Sequence, residues 1–173
     1  MLNDDSKLIR LAGIAENSLV NGKGLRKVFF SQGCSHHCEG CFNQHTWEFA
    51  GGRMFDMDEL VQKVKDEPFL DGVTFSGGDP FQQADKFAYL AKKLHEANIN
   101  IWAYTGYTFE ELMKLAQTNH HIKQMINNVD VIVDGRFMKD KMSENLKYCG
   151  SSNQRVIDVK SSLNENKIIL FKD

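Results

Sequence analysis

Gly33-Cys34-Ser35-His36-His37-Cys38-Glu39-Gly40-Cys41-Phe42-Asn43 holds three of the chain's four cysteines, spaced C-x3-C-x2-C, and follows the apolar run Val28-Phe29-Phe30. A strand that ends in such a loop presents three thiolates from one short, adaptable segment. Three converging thiolates suit a soft metal centre. Two centres fit the spacing. One is a structural zinc held by the three cysteines and His36, His37 or His45. The other is a [4Fe–4S] cluster, for which four-cysteine ligation is the norm in electron carriers. The fourth cysteine, Cys149, stands alone far down the chain. A cubane on Cys34, Cys38 and Cys41 therefore leaves one iron without a protein ligand and open to a substrate. Closed zinc sites usually draw their ligands as two separated pairs, so three cysteines bunched behind a strand fit the cluster better.

The 173 residues suggest one domain over 1–173, with 42% hydrophobic and 25% charged residues, as in an ordinary soluble protein. A formal net charge of −2 gives no global field favouring nucleic acid, and no apolar run reaches membrane-span length. The acidic start, Met1 to Lys7, lacks the basic and apolar regions of a signal peptide. Free cysteines without such a signal predict a cytoplasmic protein, in which disulfides are not expected.

Outward from the cysteine loop, strands and helices alternate. Lys7 to Glu16 reads as an edge strand, Asn21-Gly22-Lys23-Gly24 as a turn, and Leu25 to Ser31 as the strand feeding the loop. Helical spacing of apolar residues predicts helices over Asp56–Asp66 and Phe81–Asn98, then Phe109–Ala116 and about Ile122–Asn127. Strands are expected at Gly72–Ser76, Asn100–Thr105 and Val129–Asp134, with weaker ones at Arg155–Val159 and Lys167–Phe171. Such alternation implies an α/β fold with a mostly parallel sheet. A complete eight-fold barrel takes about 250 residues. The expectation is thus an incomplete (β/α) barrel of mostly parallel strands, open on one side, with chemistry at the strands' C-terminal ends.

Polar and glycine-rich segments recur at those ends. Ser76-Gly77-Gly78-Asp79-Pro80 brings backbone groups without a Cβ, and a carboxylate, to one turn; it reads equally as a tight strand-to-helix turn with an Asp cap. Thr105-Gly106-Tyr107 is a ligand contact or a simple turn. In Asp134-Gly135-Arg136-Phe137, an acid and a guanidinium two apart could hold ribose hydroxyls and a carboxylate, or form a surface ion pair. Ser151-Ser152-Asn153-Gln154-Arg155 could line a cavity, dock a partner or be an ordinary polar loop.

The cysteine spacing followed by an aromatic residue resembles the radical S-adenosylmethionine (SAM) superfamily, and Gly77-Gly78-Asp79 is similar to its Gly-Gly-Glu/Asp motif. Asn21-Gly22-x-Gly24, Thr46-Trp47, Trp102-x-Tyr104-Thr105-Gly106-Tyr107, Val133-Asp134-Gly135-Arg136-Phe137 and Gly150-Ser151-Ser152-Asn153-Gln154-Arg155 extend the likeness in order from about Leu8 to about Val159. Together they resemble the anaerobic ribonucleoside-triphosphate reductase-activating family. Lys23 stands where that family often has proline, and Cys149 where an arginine is expected, so Cys149 is left out of the site.

The resemblance implies a [4Fe–4S] cluster on Cys34, Cys38 and Cys41 whose fourth iron binds SAM. It implies SAM contacts from Gly40, Cys41 and Phe42 near the adenine, and from Gly77, Gly78 and Asp79 at the methionine amino group. Thr105, Asp134 and Arg136 would complete them from later strand ends. It also implies reduction by flavodoxin or a similar low-potential donor, and hydrogen-atom abstraction from a glycine of the large anaerobic reductase subunit. An activase for another glycyl radical enzyme, such as pyruvate formate-lyase, shares this chemistry, although the few cysteines argue against the types with additional ferredoxin-like cysteines. A non-catalytic zinc-binding interaction module is the remaining alternative.

Overall fold

The computed structural model describes residues 4–173; Met1 to Asn3, the first part of the acidic start, lie outside the described residues. Seven strands form one mixed, unclosed sheet in the order β3-β1-β2-β4-β5-β6-β7. They are β1 (Leu8–Ser18), β2 (Arg26–Ser31), β3 (Arg53–Asp56), β4 (Gly72–Gly77), β5 (Ile101–Tyr104), β6 (Val131–Asp134) and β7 (Arg155–Asp158). The four central strands run parallel, with Phe29 opposite Phe75, Thr74 opposite Trp102 and Ala103 opposite Ile132. The flanks are antiparallel: β1 to β2, β3 to β1, and β7 to β6. Parallel pairing is thus confined to the centre, where helical crossovers link the strands.

The crossovers are α1 (Met57–Lys65), α2 (Ala84–Glu96), α3 (Phe109–Leu115) and α4 (His120–Asn128), followed by α5 (Val159–Glu165) after β7. Each starts where a helix N-terminus finds an acceptor or a geometry that tolerates it. Asp56 accepts from the Glu59 N–H, Thr108 and Glu111 form a reciprocal capping box, Asn119 caps α4 and Asp158 caps α5. The helix expected from Phe81 begins instead as the 3-10 turn Pro80–Gln83, capped by Asp79, which passes into α2.

Strand alternation sorts the sheet into two unlike faces. Ile9, Leu11, Phe29, Phe75, Ile101, Ala103, Ile132 and Ile157 pack under the helices, with Phe87 and Leu94 of α2 fully buried among them. Burying an aromatic of this size contributes roughly 1.5–3 kcal/mol by transfer alone. Trp102, Val131 and Val133 point to the other face and meet Tyr104, Tyr148, Val156 and Phe171.

Three expectations are revised. β1 is not an edge strand, because Arg53–Asp56 pairs with its outer side; four residues between glycines and a helix carry too short a pattern to be read as a strand. Lys167–Phe171 forms no regular strand. It meets β7 at a single bridge, Ile157 to Leu170, helped by bonds from Asp158 N–H to Ile169 O and from Phe171 N–H to Val156 O. α5 was not anticipated, since Val159-Lys160-Ser161-Ser162-Leu163 has weak helical propensity and depends on the Asp158 cap. Among the described residues no helix is long and apolar enough to cross a membrane.

Candidate metal centre

β2 delivers the cysteine loop to the C-terminal edge of the parallel strands. Gly33 N–H donates to Thr46 O at 2.7 Å and Cys34 N–H to Trp47 O at 3.1 Å, so the loop returns alongside its own start. Cys41 N–H closes a turn on Cys38 O at 3.1 Å. All four cysteines are free thiols: Cys34 is buried, and Cys38, Cys41 and Cys149 are half-buried.

Cys34, Cys38 and Cys41 line one cavity of about 420 Å³ together with Gly77, Gly78 and Thr105 from the ends of β4 and β5. The Gly-Gly step is required by packing. A Cβ on Gly77, which has φ +91°, would lie 2.5 Å from Ser31 N, and one on Gly78 would overlap Gly33 O. That contact is bonded: Gly78 N–H donates to Ser31 O at 2.7 Å and Asp79 N–H to Gly33 O at 3.0 Å. The glycines therefore hold the end of β4 against the root of the cysteine loop, and their backbone forms part of the cavity wall.

Burial pushes the Cys34 thiol up to about 11 and raises the Cys38 thiol as well. Thiols in that state need a cation to become thiolates, so metal loading releases protons. Among the described residues no three His, Cys, Asp or Glu side chains are grouped closely enough to hold one metal ion. A cluster asks for something different, one thiolate per iron around a cavity rather than all on one ion. Three cysteines spread along one cavity wall fit that demand.

The other expected SAM residues separate. Phe42 lines the cavity, 69% exposed, and leans on Phe137 with ring centres 5.1 Å apart. Gly40 lies off the cavity, at a left-handed turn facing Phe137 and Lys139. Asp79 does not line it either. Its carboxylate is 1% exposed and accepts from Phe81 N–H (3.0 Å), Thr105 Oγ1 (2.9 Å), Gly106 N–H (3.0 Å) and His36 Nε2 (2.7 Å). That carboxylate is thus held by donors from three segments of the protein. Asp134 is likewise buried, taking the Phe109 N–H at 2.8 Å and the Arg155 guanidinium. Arg136 is half-exposed and 3.6 Å from Glu111. Asp134 and Arg136 face a neighbouring cavity, which Cys38 and His36 also border.

Some wall residues were not anticipated. Cys149 lines the cysteine cavity although the sequence reading set it aside, and Gln154 lines it as one reading of the Ser151–Arg155 segment allowed. Gln154 accepts from Gly150 N–H (2.9 Å) and Ser151 N–H (3.1 Å) and donates to Gly135 O (2.9 Å), joining two segments of the wall. His36 was considered only as a metal ligand, and nothing local in the sequence marks its bond to a residue 43 positions away.

A family model described as a 4Fe-4S single cluster domain matches residues 20–157. The chain is 36% identical over 143 residues to the anaerobic ribonucleoside-triphosphate reductase-activating protein of Enterobacteria phage T4, covering 79% of this chain and 86% of that one. Proteins of the same name from Pasteurella multocida and Escherichia coli K12 are 36% and 34% identical, covering 79% and 80% of this chain and 89% and 91% of theirs. The solved structure of QueE from Escherichia coli is similar at a TM-score of 0.42 and 16% identity, over 58% of this chain and 54% of its own. A cysteine loop on a cavity at the ends of parallel strands, in a chain with relatives this similar over most of their length, leaves one assignment: this chain belongs to the family of anaerobic ribonucleoside-triphosphate reductase-activating proteins.

Proposed function

We propose that the chain is a radical SAM activase that generates a glycyl radical on the anaerobic ribonucleoside-triphosphate reductase, the target in its relatives' names. The observation that carries this is the shared cavity: three thiols from one loop and the Gly77–Gly78 backbone meet at its wall. Cys34, Cys38 and Cys41 would hold a [4Fe–4S] cluster, leaving its fourth iron for SAM. Bound together, cluster and SAM would supply one-electron cleavage of the sulfonium and abstraction of a hydrogen atom from a glycine of the reductase.

The chain's own residues bind, orient and exclude water. Phe42 offers a flat apolar face for the adenine, and the turn at Gly77–Gly78 presents backbone to the methionine end. Thr105 lies beside them in the wall, with its hydroxyl turned to Asp79. Gly40 shapes the loop, Asp79 acts through its internal partners, and Asp134 with Arg136 form the border toward the second cavity. We read residues 1–173 as one unit built on an incomplete (β/α) barrel, the seven-stranded sheet being its open form. A low-potential donor of the flavodoxin type and a cytoplasmic location complete the reading.

Anaerobic reconstitution with iron and sulfide tests it. About four iron and four sulfide per chain are expected, followed by 5′-deoxyadenosine when the reduced protein meets SAM. Stoichiometric zinc with no iron uptake, or a loaded protein that leaves SAM intact, overturns it.

A further inference from the structure

Between Cys34 and Cys38 lies a residue that holds the loop without being one of its thiols. His36 is buried, its side chain 5% exposed, and Nε2 stands 2.7 Å from Asp79 Oδ2. A carboxylate only accepts, so Nε2 carries the proton and donates it. The ring fills a slot with no slack. It meets Tyr107 edge-on with centroids 4.7 Å apart, and a Cβ on Gly106 would sit 2.5 Å from His36 Cδ2. Its neighbour Ser35 is pinned to the same turn: Ser35 N–H donates to Gln82 Oε1 at 2.8 Å, and Gln82 Nε2 donates back to Ser35 Oγ at 2.7 Å. The first half of the loop is therefore fastened to the Asp79–Gln83 segment. The second half is held differently: Phe42 leans on Phe137 with ring centres 5.1 Å apart, and Glu39 and Lys139 meet at 4.0 Å with both side chains largely exposed.

Asp79 gathers three segments that would otherwise be independent. It caps the turn after β4 through Phe81 N–H, holds the end of β5 through Thr105 and Gly106, and takes the loop through His36. These hydrogen bonds to one buried carboxylate are charge-assisted and share a dry environment, so losing one partner leaves the rest imperfectly satisfied.

We propose that His36 is a positioning residue: through Asp79 it locks the cysteine loop against the Gly77–Gly78 turn, fixing the distance between the thiols and the opposite wall of the cavity. This rests on the activase reading in one respect, that the wall at Gly77–Gly78 is where SAM's methionine end lies. The ring also lines the cavity wall, while its hold on the loop runs through Asp79. Its contribution is to keep two binding surfaces in one register.

The test compares three substitutions. Gln carries its amide nitrogen as many bonds from Cα as His carries Nε2, so His36→Gln can still donate to Asp79. Asn is one carbon too short, and Ala has no donor. With all three cysteines present, His36→Ala and His36→Asn should take up iron as the parent does. The change that SAM causes in the electron paramagnetic resonance spectrum of the reduced cluster should then need about 10–100-fold more SAM. His36→Gln should return to within a few-fold of the parent. In metal-free protein, amide exchange at residues 34–38 should quicken about 10-fold in His36→Ala and in Asp79→Asn, and much less in His36→Gln. A parent-like SAM titration in His36→Ala, or His36→Gln behaving as His36→Ala, overturns the proposal. If the parent assembles no cluster, the activase reading fails. The metal-free exchange then still decides the locking role, with unchanged protection in His36→Ala refuting it.

Discussion

The two ends of the helix-free face of the sheet solve opposite problems. At the N-terminal ends of the parallel strands, Arg26 lies 1% exposed under Trp102, its guanidinium carbon 5.5 Å from the ring centre. Its donors meet neutral acceptors: Thr74 Oγ1 at 2.8 Å, Val73 O at 2.8 Å, Lys23 O at 2.9 Å and Asn100 Oδ1 at 3.0 Å. Among the described residues no carboxylate bonds to it, and burial brings this guanidinium down to about 10. At the C-terminal ends the buried charged groups are acids, Asp79 and Asp134, and each is bonded to partners inside the protein. Asp79 is taken by His36 and Asp134 by Arg155. The cavity is lined instead by thiols, glycine backbone, aromatic rings and uncharged polar side chains such as Asn43 and Gln154, with the His36 ring among them. One end is closed for stability, and the other keeps its charges occupied so that the cavity can take a guest.

Substitutions can break that division. The largest effect belongs to the open end: Cys38→Ala should reduce cluster iron to background and abolish SAM cleavage, measured by iron analysis and 5′-deoxyadenosine formation. Retained cleavage would show that the cavity works without its thiols. At the closed end, Arg26→Ala strips neutral acceptors of their donor and should cost about 3 kcal/mol, read as a lower urea midpoint at unchanged slope. The folded fraction should still take up iron. If loading fails at full occupancy of the fold, the two ends are coupled.

Gly78→Ala falls between them. The new methyl meets Gly33 O, and overpacking of this kind costs about 1–3 kcal/mol. It should also weaken SAM binding more than iron uptake, because it shifts the wall opposite the thiols. Equal loss of both would assign the glycine to the cysteine loop alone.

The smallest effect concerns the outer rim, where Glu110 meets Arg155 at 2.7 Å with its side chain 61% exposed. The hydrogen bond from Arg155 holds the Glu110 carboxyl below its ordinary 4.5. A lowered folded-state value means the stabilisation is present above about pH 4.5 and is lost as pH falls through the folded value. Solvent screening limits it to about 1 kcal/mol or less. Glu110→Gln should therefore lower the urea midpoint slightly at pH 7, and the gap should narrow as pH falls below about 4.5 toward pH 3. A constant gap across that range would mean that the side chain acts by packing.

Much of this was legible along the chain. The cysteine spacing, the Gly77-Gly78 step and the helical period of residues such as Phe87, Ala91 and Leu94 are local signals, and each lies where local reasoning put it. The short β3 and the serine-rich α5 were not legible, because they exist by pairing with β1 and by an Asp158 cap. Acidic residues were the hardest case. Asp79 and Asp134 sit at strand ends, where a ligand-binding acid would, yet their partners come from segments distant in sequence.

By itself the amino-acid order determined which atoms could bind a soft metal and which segments alternate as strand and helix, since both depend on spacing within a few residues. Only the folded chain decided which polar groups face the cavity and which are consumed in holding it together. That choice depends on donors brought near by the packing of β4, β5 and β6, and burial makes an unanswered charge too costly to leave.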